Sequence, residues 1–279
     1  VQGSGIGASD QGAAAMHQQA IFITGGASGI GRAVALLFAQ RGWRVGLADV
    51  NAAGLEETRA MLPEGVATTH LLDVRDRDQW VAALAAFAEA SGGRLDVLFN
   101  NAGIGTSGPF ATTSPAELER CIAVNFTGVV HGAHVGFPLL SATPGSVMLI
   151  TSSAAGIYGT AGAAIYSATK FAVRGLAEAL DGEWATAGVQ VRTLMPAFID
   201  TPLLDQPTGG SNQLIRENVR RAGLEISPVG DVAEAAWAAV HGPVLHSRVG
   251  KTARKLWFAA RWMPGTLRKQ ARRSRLGRR

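Results

Sequence analysis

"AIFITGGASGIGRA", residues 20–33, carries three signals in one run. The opening "AIFIT" is apolar and short, as a buried strand is. Gly25, Gly29 and Gly31 then give the spacing GxxxGxG. From Arg32 the run "RAVALLFAQRG" takes up helical period. In a strand–glycine turn–helix unit the glycines let the backbone bend sharply and approach a pyrophosphate, whose charge then lies at the helix N-terminus. A purely structural Gly-rich turn looks the same in isolation, so the rest of the chain decides.

The rest repeats the alternation. Strands are expected at 43–50 ("WRVGLADV"), 69–74 ("THLLDV"), 95–103 ("LDVLFNNAG"), 145–153 ("GSVMLITSS") and 189–196 ("VQVRTLMP"), with a weak one near "VLHSRV". Helical segments lie between them, including a long helix over 115–141, one carrying "YSATKFAVRGLAEAL" and one at "DVAEAAWAAV". Strands apolar throughout imply a sheet covered on both faces. Strict alternation with helices implies parallel βαβ units. The expected fold class is therefore α/β, a doubly wound parallel sheet of about seven strands in a single domain. Residues 202–228, with "PLLDQPTGGSNQ", break the rhythm and read as a mobile excursion near the strand ends.

Composition fits this. The 279 residues are 47% hydrophobic and 17% charged, which suits one large core. Cys121 is the only cysteine, so no intrachain disulfide forms; in "CIAVNF" it reads as a small buried hydrophobe. No apolar run approaches the ~20 residues of a membrane span. The six histidines lack metal-ligand spacing, and no metal is expected. Residues 1–15 are Gly/Ser/Ala-rich and read as a tag remnant before Met16. Residues 16–250 then form the catalytic domain and 251–279 an extension.

Candidate ligand contacts collect at the strand ends. The turn offers Gly25, Ser28, Gly29, Ile30 and Gly31. Asp49 closes the second strand, eighteen residues after Gly31. A carboxylate there accepts both ribose hydroxyls of an adenosine and repels a 2′-phosphate. Ser28 and Val50 stand where a basic residue would favour the phosphorylated cofactor, so the reading is NAD rather than NADP. Asp73 and Val74 are candidates for the adenine edge, and Asn100, Asn101, Ala102 and Gly103 for the adenosine ribose; each is also an ordinary turn residue.

In "YSATK", Tyr166 and Lys170 stand one helical turn apart on one face. Such a pair is commonly a surface pair. Yet Tyr166 is one of two tyrosines, and Lys170 is the only lysine before residue 251. "TGGASGIG", "DV" at 73–74, "NNAG", Asn125, "ITSS", "YSATK" and "MPAFIDT" occur in the order and spacing of the short-chain dehydrogenase/reductase family, which the chain resembles from about residue 20 to 201. The resemblance implies a Rossmann-type fold, nicotinamide-dependent oxidoreduction in the cytoplasm, and a homodimer or homotetramer built through the long helices. It implies that Tyr166 is the acid/base, that Lys170 lowers its pKa, that Ser153 holds the substrate oxygen and that Asn125 holds a relay water through its helix backbone. It also places Pro196, Ile199 and Thr201 at the nicotinamide. Ala197 departs from the family's usual glycine, which raises the question of strain if φ is positive there.

Phe110, Tyr158, Phe198, Leu203 and Leu204 are candidate edges of a substrate cleft, or simply core and hinge packing. They suggest an apolar secondary alcohol or ketone: aliphatic, alicyclic or steroid-like. An NADPH-linked reductase of 3-oxoacyl chains or other carbonyls is the alternative; a non-catalytic nucleotide-sensing or membrane-docking protein is the alternative of another class. From Arg248 onward there are 12 basic and no acidic residues, against 14 basic and 21 acidic before it. Leu256, Trp257, Ala260 and Trp262 are expected to share an apolar face, with Pro264 stopping or bending that helix. Peripheral membrane contact, docking on the body or a partner subunit, and a solvated end are the candidate roles; a nucleic-acid partner is not expected.

Overall fold

The computed structural model describes residues 18–207 and 213–273. The expected tag remnant at 1–15, residues 208–212 of the excursion and the last residues of the tail, 274–279, lie outside the described residues. Nine strands are described: β1 Ala20–Thr24, β2 Arg44–Asp49, β3 Ala67–Leu71, β4 Val97–Asn100, β5 Val147–Thr151, β6 Gln190–Pro196, β7 Phe198–Ile199, β8 Ile226–Ser227 and β9 His246–Val249. The α-helices are α1 Gly29–Gln40, α2 Ala52–Ala60, α3 Arg77–Ala90, α4 Pro115–Ile122, α5 Gly128–Ser141, α6 Ala164–Glu183, α7 Ile215–Arg221, α8 Val229–His241, α9 Lys251–Trp262 and α10 Pro264–Arg273.

Seven strands form one parallel sheet in the order β3-β2-β1-β4-β5-β6-β9. The order reverses between β1 and β4, so a crevice opens at their carboxyl ends, where open α/β sheets bind ligands. Alternation along each strand explains the continuous apolar runs. Ile21, Ile23, Val97, Phe99, Val147 and Leu149 face a core shared with α1 and α8. Phe22, Leu98, Met148 and Ile150 face the opposite core, with Trp80, Phe87, Val129 and Val173 of α3, α5 and α6. Both faces are buried, so no strand needs a polar side.

Local chemistry sets the ends. Asn51 caps α2, Asp76 caps α3 and Ser114 caps α4 by accepting backbone N–H bonds. Gly128, Gly132 and Gly136 run down one side of α5, where a Cβ would meet Val74, Trp80 or Leu98 at 2.4–2.7 Å. Their small size lets α5 lie directly on the sheet.

Two expectations are corrected and two are extended. The helix over 115–141 is interrupted by a π-turn, Ala123–Thr127, centred on Asn125. β3 lies at Ala67–Leu71 instead of 69–74, so Asp73 falls in the turn beyond it; β3 is an edge strand, with partly exposed residues throughout and Leu71 open to solvent. The excursion at 202–228 carries α7 and β8, and β8 pairs with β7, which precedes the excursion. Pro264 begins α10 instead of only ending α9, a position where its missing N–H costs nothing.

Trp80 joins core and site. It is fully buried, and its indole Nε1 donates to Val74 O at 3.0 Å. Trp80→Ala should lose about 3–5 kcal/mol of unfolding free energy, read by urea denaturation.

Candidate functional site

The glycine turn is built by constraints only glycine meets. Gly25 and Gly29 have φ of +70° and +52°, and a Cβ on Gly31 would sit 2.1 Å from Gly25 O. Gly25 also abuts Asn101 and Ala102 of the β4 end, with 2.8 Å from a Cβ to Asn101 Nδ2. Asn101 is a bracket: its Nδ2 donates to Thr24 O at 2.9 Å, and its Oδ1 accepts from Thr151 Oγ1 at 3.0 Å. The ends of β1, β4 and β5 are thereby locked together. Ser28 and Ile30 flank the turn at the start of α1.

Asp49 ends β2 beside this turn. Its Oδ2 accepts from Ala27 N at 3.2 Å and its Oδ1 from Asn51 N at 3.1 Å. Each oxygen keeps acceptor capacity for a further donor. Val50 beside it is exposed. Arg32 is engaged elsewhere, donating to Ala27 O, Thr58 Oγ1 and Glu57 Oε2. Asp73 is paired with Arg75 at 2.5 Å, which holds its carboxyl below the usual range, so its side chain is occupied; Val74 is buried. Asn100 is buried, and its Nδ2 has no partner among the described residues.

Ser152 and Ser153 differ in what they face. Ser152 Oγ donates to Lys170 O at 2.8 Å and is consumed in packing the loop onto α6. Ser153 Oγ donates to Pro196 O at 3.4 Å and accepts from Ala155 N at 3.1 Å, and its hydroxyl acts on the Tyr166 phenol. Lys170 follows one turn along α6, with Nζ 5.6 Å from the Tyr166 ring centre. Its Nζ is buried and donates to Thr151 O at 2.8 Å. Asn125 is fully buried; its amide clamps Ile104, accepting from the N–H at 2.8 Å and donating to the carbonyl at 2.9 Å. Any water held by Asn125 therefore meets its main chain, where the π-turn shifts the hydrogen-bond register. Cys121 is buried beneath it, 3.4 Å from Asn125 Nδ2.

The titration of this cluster departs from the expectation. Burial pushes the Tyr166 phenol up from its ordinary value, and the Ser153 hydroxyl draws it part of the way back. Lys170 does not pull it down; burial instead lowers its own pKa to about 8. Both groups lose solvent in the same place, and desolvation works against the charged form of each.

The nicotinamide-loop candidates close over the glycine turn. Thr201 Cγ2 is 3.3 Å from where a Cβ on Gly29 would be, although 172 residues separate the two. Thr201 Oγ1 donates to Ile199 O at 3.3 Å. Ala197 is unstrained, since no described residue other than glycine has positive φ. Leu203 lies against Gly105, and Tyr158 and Phe198 are half-buried nearby in the chain. Leu204 is only 4% exposed, and Phe110 is exposed.

Arg216 was not legible in the sequence. It reaches from α7 to Asp205 at 2.7 Å and to Asp200 at 2.5 Å, and Nη2 lies 3.4 Å from Thr201 O. These contacts fasten the Thr201 loop. The only sequence signal was an arginine downstream of two loop aspartates, which spacing does not distinguish. Among the described residues no group of three His, Cys, Asp or Glu is placed to hold a metal.

Residues 19–209 match the family described as short chain dehydrogenase. The chain is 33% identical over 214 residues to levodione reductase of Leifsonia aquatica, covering 75% of this chain and 79% of that protein. It is 38% identical over 186 residues to 2,5-dichloro-2,5-cyclohexadiene-1,4-diol dehydrogenase LinX of Sphingobium indicum, covering 65% and 73%. A short chain dehydrogenase/reductase from Burkholderia phymatum, solved in complex with NAD, superposes with a TM-score of 0.80 at 29% identity, covering 91% and 95%.

Lys170 gives a pH test. Folded, it releases its proton near pH 8; unfolded, it does so near ~10.4. The unfolded chain therefore binds more proton across that window, and the stability contributed by Lys170 rises with pH. Relative to Lys170→Met, the natural chain should gain about 2 kcal/mol between pH 8 and 10 in chemical denaturation. A pH-independent difference between the two would contradict the buried cation.

Proposed function

The chain belongs to the short-chain dehydrogenase/reductase family, and we propose that it transfers a hydride between NAD(H) and an apolar secondary alcohol or ketone. The observation that carries this is the buried Lys170 ammonium 5.6 Å from the Tyr166 ring, beside the Ser153 hydroxyl that acts on the same phenol. The strand-end crevice beside it has the glycine cradle and acceptor set that suit a dinucleotide. Gly25, Gly29 and Gly31 hold the pyrophosphate, Asp49 the adenosine ribose, and Ile199 and Thr201 the carboxamide. A bound nicotinamide dinucleotide supplies the hydride acceptor or donor and, when oxidised, a positive charge.

The residues of the chain handle the oxygen and the proton. Ser153 Oγ holds the substrate oxygen in place. Tyr166 gives its proton to that oxygen in reduction and takes it back in oxidation. Burial keeps the phenol protonated, which readies it as a donor. In oxidation, moving a phenol from ~10 to near 7 takes about 4 kcal/mol of phenolate stabilisation. The Ser153 hydroxyl supplies part of that, and the Lys170 ammonium, protonated below about pH 8, stands one helical turn away. The same ammonium is available to bind ribose hydroxyls.

NAD over NADP rests on Asp49, on exposed Val50, and on Arg32 and Arg75 being occupied by Glu57 and Asp73. The name of LinX describes a cyclic diol and that of levodione reductase a dione, which support an alicyclic alcohol or ketone here. Ile122 of α4 and Phe171 of α6 are exposed apolar residues on the two long-helix segments, which supports a homo-oligomer built there. The reading places the protein in the cytoplasm with peripheral membrane contact through its tail.

The test is a screen of cyclic secondary alcohols and ketones with both cofactors, following the absorbance of the reduced form. NAD(H) turnover is expected, with kcat falling about 10²–10⁴-fold in Tyr166→Phe while the dinucleotide still quenches tryptophan fluorescence. Tighter binding of NADP than NAD would reverse the assignment of Asp49, and undiminished turnover in Tyr166→Phe would remove the proposed acid/base. Gly31→Val should abolish dinucleotide quenching, because its Cβ has no room beside Gly25 O.

A further inference from the structure

α9 has two apolar faces, and the body covers one of them. Ala253, Leu256, Trp257 and Ala260 pack against Ala154, Ile157, Met195 and Ala197. Trp257 is held between Arg174 of α6 and Arg248 of β9, whose guanidinium carbons lie 4.8 and 5.2 Å from its ring centre. This is not the face the sequence led us to expect, because Trp262 is absent from it. Trp262 is 68% exposed, and so are Phe258 at 59% and Met263 at 47%. Phe258 and Trp262, four residues apart, share a stripe roughly opposite the docked one. A globular protein rarely leaves three large apolar side chains within a few residues of one another in water without a partner for them.

The flanks of this stripe carry one sign of charge. Lys251 and Arg254 border a surface groove with Glu225, Asp231 and Glu234, which partly answer them. Lys255, Arg261, Arg268, Lys269, Arg272 and Arg273 form no salt bridge among the described residues, and no acidic residue follows Glu234 in the chain. An indole, a phenyl and a thioether between unpaired cations match an anionic lipid boundary in both polarity and charge. No described helix is long and apolar enough to cross a membrane, so the match is to its surface.

We propose that α9 and α10 form a peripheral docking surface for a bilayer containing anionic phospholipid, with Phe258, Trp262 and Met263 entering the headgroup boundary. This deepens the membrane contact of the proposed function. The inner face of α9 rests on Ala154 and Ala197, neighbours of Ser153 and Pro196, so docking holds that loop about one helix diameter, ~10–12 Å, from the lipid. Apolar substrates dissolved in the bilayer are then close at hand.

The test uses the full chain and does not depend on turnover, so its failure leaves the dehydrogenase reading intact. Protein is floated with phosphatidylcholine vesicles, with or without phosphatidylglycerol, and dinucleotide quenching of each variant confirms folding. The bound fraction should rise about tenfold with the anionic lipid and fall about tenfold in Phe258→Ser/Trp262→Ser. The quadruple variant Arg268→Gln/Lys269→Gln/Arg272→Gln/Arg273→Gln should retain binding only at low salt. Recovery indifferent to phosphatidylglycerol, or unchanged in the aromatic variant, overturns the proposal. So does binding of a single-stranded oligonucleotide with no vesicle binding, which assigns the tail to nucleic acid.

Discussion

A cation without water organises the centre of this protein. Lys170 is 4% exposed, and the one hydrogen bond described for its ammonium is to Thr151 O. A buried ammonium is costly unless the surroundings answer it. Here the answer comes from the end of β5: Thr151 receives the ammonium, while Ser152 bonds the carbonyl of the same lysine. The Ser152–Ser153 loop is thus fixed against α6 from both ends of one residue, and that fixing turns Ser153 toward Tyr166. The depressed lysine and elevated tyrosine are two results of one desolvated site.

The rest of the crevice is rigid for related reasons. Asn101 links β1, β4 and β5, Asn125 clamps the chain after β4, and Arg216 fastens the loop that brings Thr201 onto Gly29. Each uses a buried or half-buried polar group fully committed to backbone or carboxylate. Catalytic geometry of sub-ångström precision is supported by residues of this kind, whose own rotamers are locked.

The C-terminal helices add a second level of organisation. α9 is joined to the body through Trp257 and to the active-site loops through Ala154 and Ala197. What it turns outward is aromatic and basic, while the body before residue 248 carries an excess of acidic residues.

The sequence alone determined the doubly wound parallel sheet and the glycine turn at its strand ends. Those follow from local rules: short runs in β1, β4 and β5 that are apolar throughout, helical segments alternating with them, and glycines at 25, 29 and 31 that no other residue replaces. It also brought Ser153, Tyr166 and Lys170 to notice through a family pattern. Tertiary structure decided what depends on neighbours distant in the chain. It committed Ser152 to the Lys170 carbonyl, buried Leu204, recruited Arg216, and raised the Tyr166 phenol. It also put Trp257 against the body and Trp262 in solvent. Helical period places residues on a face, but only packing says which face is covered, and desolvation, which sets both pKa shifts, exists only once the elements have closed on one another.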